Sequence, residues 1–385
     1  MADDANHARQ RRTLAHAFSQ KALLEQESII RGYVDLFIAK LTPFAKSGQR
    51  VNMCDWYNFT TFDIIGDMAF GEPFGCLRDG VWHDWVSLIT ITIKAGAYEQ
   101  ATRRMFKAGT FMQKNLVKLI PNDLMRKRFQ HLELSKEKCL KRIDEGLRRE
   151  HRDFLYYILR ANEKGGVKQD EIILNSALFI VAGSETTASL LSGMTMWLMR
   201  TPHAYKKLTR EIRGRFPSAE NMHFSELQEC TYMNACIDEA LRIFPPVPTG
   251  LTRTVPDGGD TVAGEFVPGG TTVSVYAWAA THSPHNFSKP DEFIPERWID
   301  AQYDFEKKEA SQAFSLGPRG CIGKHLSYLE LRLILANLLW HFDIERADLD
   351  EPVDVWDPSD DLKHIKAFNT WNKPPLWIKL TPVKR

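Results

Sequence analysis

A long run of residues with helical spacing, from Asp170 to Met199, constrains the fold of this chain most strongly. Apolar residues recur along it at the period of an α-helix, and Pro202 marks a stop just beyond it. Its most apolar stretch, Ile172 to Ala182, is shorter than the about 18–20 apolar residues of a membrane span, and polar residues interrupt it. We therefore predict a long helix that is buried inside the protein.

Helical periodicity dominates the rest of the chain as well. The other predicted helical segments are His7 to Leu41, Trp56 to Phe70, Trp82 to Arg128, Tyr232 to Ile243 and Leu326 to Trp340. Strand signals are confined to two places. Thr261 to Tyr276 contains Gly264 and the turn Pro268 to Gly270, which predicts a β-hairpin, and the tail Leu376 to Leu380 is strand-like. The predicted fold class is mainly α with a small β-sheet portion.

Composition excludes several classes of protein. The 385 residues allow two or three ordinary domains or one large domain, and 43% hydrophobic residues with 26% charged residues exclude wholesale disorder. Lys+Arg total 50 against 49 Asp+Glu, so the net charge of +1 gives no reason to expect a nucleic-acid partner. Six scattered cysteines show neither a disulfide framework nor zinc-ligand spacing, which favours a reducing compartment. The polar first ten residues lack the apolar core of a secretory signal.

The segment Phe314 to Gly323 carries the strongest chemical signal, because it places Cys321 in a glycine-rich loop immediately before a predicted helix. Backbone N–H groups and the positive end of a helix dipole stabilise a thiolate and lower its pKa. The glycines let a large flat group approach the main chain, and Arg319 offers a positive charge to an acidic substituent on that group. This pattern fits a haem with a cysteine thiolate on iron, although a lone cysteine is more often a structural thiol.

The spacing of this loop, F-x-x-G-x-R-x-C-x-G, resembles the haem-binding signature of the cytochrome P450 family. The resemblance implies a cytochrome P450-like haem-thiolate fold that binds haem b, with Cys321 as the axial ligand to iron. It also implies that Phe314, Arg319 and Gly323 belong to the cofactor site.

Two further segments are similar to those of the family. Glu239 and Arg242 lie three residues apart on a predicted helix, which alone indicates only a weak ion pair. Arg242 is followed by two prolines and later by Pro295-Glu-Arg297-Trp, as in the family. The resemblance implies that Glu239, Arg242 and Arg297 form one buried network behind the haem, which fixes geometry more than it adds stability.

Small and polar residues, Ala182 to Thr187, interrupt the long helix. A Ser/Thr face that pairs with other helices would explain them. Alternatively, Gly183 lets a neighbour approach the backbone closely, Thr186 bends the helix by bonding to the preceding turn, and Glu185 supplies an ionisable group. The segment resembles the family's A-G-x-[DE]-T-[TS], which implies that Glu185 and Thr186 deliver protons to iron-bound oxygen.

A basic cluster near the start of the chain places His7 and Arg11 one helical turn apart, where both could donate to a carboxylate. A solvated surface cluster is the alternative. The family has an H-x-x-x-R pair that binds haem propionates, so the resemblance implies this role for His7 and Arg11. Arg253 and Arg319 are the further propionate partners that it implies.

The resemblance follows the family's motif order along almost the whole chain. It predicts a single cytochrome P450-like domain over residues 1–385 that lacks the family's N-terminal anchor and its first helices and strands. For the full-length gene product we expect the cytosolic face of the endoplasmic reticulum membrane. The present chain would be cytosolic or peripheral.

The predicted function is that of a monooxygenase that inserts one oxygen atom from O2 into an apolar small molecule. Similar fungal members oxidise polyketide or terpenoid intermediates. Electrons would come from NADPH through a cytochrome reductase, and a monomer is expected. One alternative is a thiolate-haem isomerase or dehydratase that needs no external electrons, against which Thr186 argues. The other is a non-catalytic truncated fragment, distinguishable by whether the purified protein retains haem.

Overall fold

The computed structural model describes residues 3–106, 109–148, 151–162, 166–347, 353–360 and 362–384. Within these residues the chain is mainly helical, as predicted. The helices are α1 (Asp4–Leu14), α2 (Gln20–Ser47), α3 (Met53–Phe70), α4 (Cys76–Asp79), α5 (Asp84–Met105), α6 (Phe111–Val117), α7 (Asn122–Glu145), α8 (Phe154–Ala161), α9 (Gln169–Arg200), α10 (Pro202–Arg215), α11 (Phe224–Gln228), α12 (Thr231–Ile243), α13 (Ala277–Thr281) and α14 (Lys324–His341).

Short strands form small antiparallel sheets at the edges of the helical body. The strands are β1 (Arg50–Asn52), β2 (Arg253–Thr254), β3 (Asp260–Val262), β4 (Glu265–Val267), β5 (Thr272–Val273), β6 (Phe342–Arg346), β7 (Lys366–Phe368), β8 (Thr370–Asn372) and β9 (Trp377–Pro382). The described part of the chain contains one three-stranded sheet in the order β1-β9-β6 and the two-stranded pairs β2-β5, β3-β4 and β7-β8.

The predicted hairpin over Thr261 to Tyr276 is correct only in part. The tight turn lies at Ala263 and Gly264, whose φ angles of 52° and 88° suit a two-residue hairpin, and it joins β3 to β4. The Pro268 to Gly270 turn instead leads into β5, which pairs with the distant β2. A local pattern can indicate a strand, but the partner of that strand depends on contacts that are far apart in sequence.

Helix α9 runs through the centre of the fold and is the predicted long helix. Two acidic residues, Asp170 and Glu171, lie in its first turn, and Arg200 lies in its last turn. Both placements stabilise the helix through its dipole. By length and composition α9 could span a membrane, with a mean hydropathy of 1.2 over 18 residues. However, 61% of that window is buried inside the protein, as is usual for a central helix.

Helix α3 packs along α9, and Gly183 makes this close approach possible. A Cβ atom at Gly183 would lie 2.6 Å from Cδ1 of Ile65, a buried residue of α3. The neighbour that this glycine admits is therefore a core side chain, so Gly183 fixes the position of α9 against α3.

Replacing Gly183 with alanine is expected to lower the free energy of unfolding by about 1–3 kcal/mol, because the added methyl group overpacks against Ile65. Gly32 on α2 is a matched control, since a Cβ there meets no heavy atom within 4 Å. Gly32→Ala should stabilise the protein by about 0.5–1 kcal/mol. Urea unfolding of both variants measures the difference. Ile65→Val removes the clashing Cδ1 atom, so it should reduce the cost of Gly183→Ala. If the losses in unfolding free energy of the two single variants simply add in the Gly183→Ala/Ile65→Val double variant, the contact does not limit the packing of α9 against α3.

Candidate active site

The Cys321 loop is held in shape by its own backbone. Gly317 adopts a φ of +71°, and Gly320 N–H donates to the Gly317 carbonyl at 2.9 Å. The N–H of Cys321 donates to the Phe314 carbonyl at 2.8 Å, which closes the loop. Gly323 then caps α14. The cysteine therefore lies immediately before a helix, as predicted.

Cys321 differs from the other cysteines in its surroundings. It is exposed, whereas the other five are buried. The predicted lowering of its pKa is wrong for the protein alone: although the residue keeps an exposed surface, the protein around the sulfur partly desolvates it, and this raises the pKa of the Cys321 thiol. The N–H of Gly323 and the charges of Arg11 and Lys324 act in the expected, lowering direction but are outweighed.

Helix α1 is fastened to the start of α9 by a charged pair. The Arg9 guanidinium donates to both carboxylate oxygens of Glu171, at 2.6 and 3.0 Å. This pairing and the N–H of Lys168 hold the pKa of the Glu171 carboxyl down to about 2. The contact fixes α1, which carries His7 and Arg11, beside the long helix.

The structure brings three of the four predicted propionate residues together at the Cys321 loop. Arg11 donates to the Gly320 carbonyl at 2.7 Å, and Arg319 donates to Asp4 of α1 at 2.8 Å. Burial, followed by the nearby charges of Arg319 and Arg11, lowers the pKa of His7. The guanidinium groups of Arg11 and Arg319, which come from opposite ends of the chain, therefore lie together where α1 meets the Cys321 loop.

Arg253 does not join this cluster. It lies exposed on β2, and among the described residues its guanidinium donates to the neighbouring Thr252 carbonyl at 3.0 Å. Its role toward a propionate stays a prediction.

The residues of this region fit a haem. A soft thiol donor at Cys321 lies beside a crowd of positive groups that suits anionic substituents. On α9, Leu174, Leu178 and Ala182 follow one another at four-residue spacing and form an exposed apolar stripe on a helix whose other apolar side chains are mostly buried. A large, flat, apolar group with acidic edges matches this combination of thiol, cations and apolar surface.

On α9, the side chains of Glu185 and Thr186 point to different partners. Glu185 is buried and pairs with the ammonium group of Lys373, which also donates to Ser189 at 2.9 Å. The Thr186 hydroxyl donates to the Ala182 carbonyl at 2.7 Å, the bond to the preceding turn that the sequence predicts. The acid and the alcohol therefore share a helix but not a hydrogen bond. Nothing in the sequence pattern indicated Lys373, which lies 188 residues further along the chain.

The three charged residues Glu239, Arg242 and Arg297 form one buried network. Both Glu239 oxygens accept from Arg242, at 2.8 and 2.9 Å, and Oε1 also accepts from Arg297 Nε at 3.2 Å. All three side chains are fully buried. Arg242 donates further to the backbone carbonyls of Thr281 and Pro290.

Glu306 is a fourth member that the sequence analysis missed. Its buried carboxylate contacts Arg297 and accepts from Ser288 N–H at 2.9 Å. Two arginines with one glutamate leave a net positive charge in the core, whereas a second glutamate balances it. Because the charges of the three predicted members do not balance, the sequence alone indicates that the network needs a further acidic residue. It does not identify which of the many carboxylates of the chain that residue is.

Comparison with known proteins identifies the class. A family model described as Cytochrome P450 matches residues 1–368. The chain is 45% identical to cytochrome P450 monooxygenase aba2 of Botryotinia fuckeliana over 391 residues, covering 100% of this chain and 74% of that protein. It is 42% identical to cytochrome P450 monooxygenase astJ of Aspergillus oryzae, covering 99% and 74%.

A solved structure has the same fold. The cytochrome P450DA heme domain superposes with a TM-score of 0.78 over 97% of this chain and 77% of that one, at 20% sequence identity. The chain therefore belongs to the cytochrome P450 family. It is a monooxygenase of that family, an oxidoreductase whose cofactor is a haem-thiolate.

Removal of the Glu306 charge is expected to be costly. Glu306→Gln leaves Arg297 without its second carboxylate in the core and should lower the free energy of unfolding by about 3–5 kcal/mol. Glu292→Gln makes the same chemical change in an exposed pair with Lys289 and should cost less than about 0.5 kcal/mol. Urea unfolding followed by tryptophan fluorescence compares the two. Equal losses would show that charge balance does not govern the network.

Proposed function

We propose that the Cys321 sulfur would hold haem iron and that His7, Arg11 and Arg319 would bind the haem propionates. The observation that carries this assignment is the hydrogen bond from Arg11 to the Gly320 carbonyl. It joins the first helix of the chain to the residue before Cys321, which supports a single cofactor held by the thiol and by the side chains of that helix.

The residues proposed to hold the haem have separate roles. Haem, when bound, supplies the iron at which O2 is activated and from which one oxygen atom reaches the substrate. The Cys321 sulfur would hold the iron, with the Gly323 N–H directed at the sulfur. Arg11 and Arg319, together with His7, would orient the haem by charge-assisted hydrogen bonds.

Thr186 and Glu185 would manage protons during the reaction. Thr186 lies four residues beyond Ala182 on the uncovered stripe of α9, and its hydroxyl can exchange the Ala182 carbonyl for a water or substrate oxygen. Glu185 lies behind this face, next to Lys373 and Ser189, where its carboxylate can take up or release a proton. The Thr186 position also speaks against an isomerase or dehydratase, which needs no such proton donor.

The substrate is proposed to be an apolar polyketide or terpenoid intermediate. The exposed apolar stripe of Leu174, Leu178 and Ala182 supports an apolar ligand, and the relatives named above are fungal monooxygenases. A panel of such compounds titrated into the haem-loaded protein should include members that shift the haem spectrum. A shift produced only by polar compounds would refute this substrate class.

Electrons are proposed to come from NADPH through a cytochrome reductase, at the cytosolic face of the endoplasmic reticulum for the full-length gene product. Family membership supports an external electron donor. Product formation that proceeds without NADPH or reductase would favour the isomerase alternative, and a purified chain that retains no haem would favour the non-catalytic fragment.

Replacement of Cys321 tests the central assignment. Cys321→Ser and Cys321→His should abolish the thiolate-type carbon monoxide spectrum of the reduced protein, because neither side chain supplies a thiolate. Cys236→Ser, at a fully buried cysteine, is the matched control and should keep that spectrum. Survival of the spectrum in either Cys321 variant would place the iron ligand elsewhere.

Thr186→Ala should retain haem but divert electrons to peroxide or water, so that product formed per NADPH falls by about tenfold or more. Ser192 on the same helix makes an equivalent bond to its own preceding turn, at 2.8 Å, and Ser192→Ala should leave this ratio unchanged. The measurement is NADPH consumed against peroxide and product formed. Unaltered coupling in Thr186→Ala would remove Thr186 from the proton pathway.

A further inference from the structure

A cleft lies where α5 and the β7–β8 hairpin meet beside α9, with about 210 Å³ of open space. Ile93 of α5 and the rings of Phe368 and Trp371 of the hairpin give it apolar walls. Trp371 is buried, and its indole N–H donates to the Pro245 carbonyl at 2.8 Å. A fixed apolar wall of this kind suits the body of an apolar small molecule.

Polar side chains line the same cleft without bonding to other parts of the protein. Thr90 of α5 and Thr370 and Asn372 of the hairpin bring hydrogen-bonding groups to it. Among the residues that the structure describes, none of these three side chains hydrogen-bonds to another protein group. A few polar groups that converge on an apolar cavity are typical of a ligand site, where they orient the ligand.

Lys94 adds a positive charge to this cleft and has no acidic partner within the described part of the chain. The residue is partly buried, and its ammonium group lies 5.4 Å from the centroid of the Phe368 ring, which is cation–π distance. A ring face attracts the charge but does not replace an oxygen acceptor. The three N–H donors of Lys94 therefore remain available to an oxygen atom of a ligand.

The other charges at the cleft cancel each other. Glu185 of α9 lines the cleft, but its carboxylate is paired with the buried ammonium group of Lys373. Lys373 also donates to Ser189, at 2.9 Å. The charge left over at the described lining is therefore the single positive charge of Lys94, and a positive charge between apolar walls favours an anion.

We propose that Lys94 is a specificity-determining residue that binds a carboxylate on the substrate. The preferred substrate is then an apolar polyketide or terpenoid intermediate that carries one acidic group, and the cleft holds its acidic end. Because Glu185 lines the same cleft and Thr186 follows it on α9, the bound molecule lies beside the helix segment that carries the proposed proton donor. This inference rests on the apolar substrate class proposed above and adds the acidic group to it.

The test uses the haem-loaded 385-residue chain and two pairs of compounds. One pair is farnesoic acid and methyl farnesoate, and the other is dodecanoic acid and methyl dodecanoate. Within each pair the apolar body is the same and the ester lacks the negative charge. Calorimetric titration gives the dissociation constant of each compound, and this readout depends neither on turnover nor on the iron spectrum.

Three substitutions separate the charge of Lys94 from its bulk. Lys94→Met keeps the apolar stem without the charge, Lys94→Arg keeps the charge, and Lys94→Glu reverses it. Lys40→Met is the matched control. Lys40 is a partly exposed lysine of α2 that lies outside the cleft and also lacks an acidic partner in the described ranges.

In the unchanged chain each acid should bind about tenfold more tightly than its ester, or better, as expected of a charge-assisted hydrogen bond. Lys94→Met should weaken acid binding by about tenfold or more and alter ester binding by less than about twofold. Lys94→Arg should retain most of the preference, Lys94→Glu should reverse it, and Lys40→Met should not change it. With reductase and NADPH, the ratio of kcat/KM for acid over ester should fall in parallel in Lys94→Met.

Equal binding of acid and ester by the unchanged chain would overturn the proposal, and this comparison needs no variant to fold. A preference for the acid that survives Lys94→Met, or that Lys40→Met also removes, would overturn it as well. Failure of the proposed substrate class looks different. If none of the four compounds binds, both that class and this inference are wrong, whereas esters that bind as well as the acids overturn this inference alone.

Discussion

The buried charges of Glu239, Arg242, Arg297 and Glu306 hold together the part of the chain that has least regular structure. Between α13 and α14 the described backbone forms only short 3₁₀ turns and loops. Such a segment must satisfy its backbone groups without helix or sheet ladders, and here charged side chains do so. Arginines donate to the carbonyls along it, and Glu239 accepts from the N–H of Ile294 at 2.9 Å. The Cys321 loop follows directly, so its position depends on this network.

The long helix α9 is positioned in a different way. Neighbouring residues contact it from more than one side within the segment Ala182 to Thr187, where small and polar residues interrupt its apolar pattern. Gly183 admits Ile65 of α3 on one side, and Lys373 holds Glu185 on another. A helix held on two sides at the same level has little freedom to rotate or slide. Its remaining side, which carries Thr186, keeps a defined orientation without direct support.

Sequence reasoning predicted most of what is local. Hydrophobic periodicity located α9 to within one residue at each end, and the spacing within the Cys321 loop defined its glycine turns and the helix that follows. It failed where the answer depends on residues far apart in sequence. The strand β5 pairs with β2 rather than within a hairpin, and the partners Glu306 and Lys373 belong to no local pattern. The pKa of Cys321 was predicted in the wrong direction for the same reason. The helix N-terminus that lowers this pKa can be predicted from the sequence, whereas the desolvation that raises it depends on the whole fold.

The two sets of buried carboxyls show how the fold can keep acids in its core in opposite states. Glu239 and Glu306 lie against guanidinium groups, so each negative charge has a fixed positive partner. No cation of the described residues contributes to the pKa of Glu330, and in a low-dielectric core the neutral form is the favourable one. An ionised Glu330 would place an uncompensated negative charge inside the core, on the helix that follows the Cys321 loop, and such a charge is costly there. The neutral form avoids that electrostatic penalty, which explains how the core can hold a carboxyl group at this place.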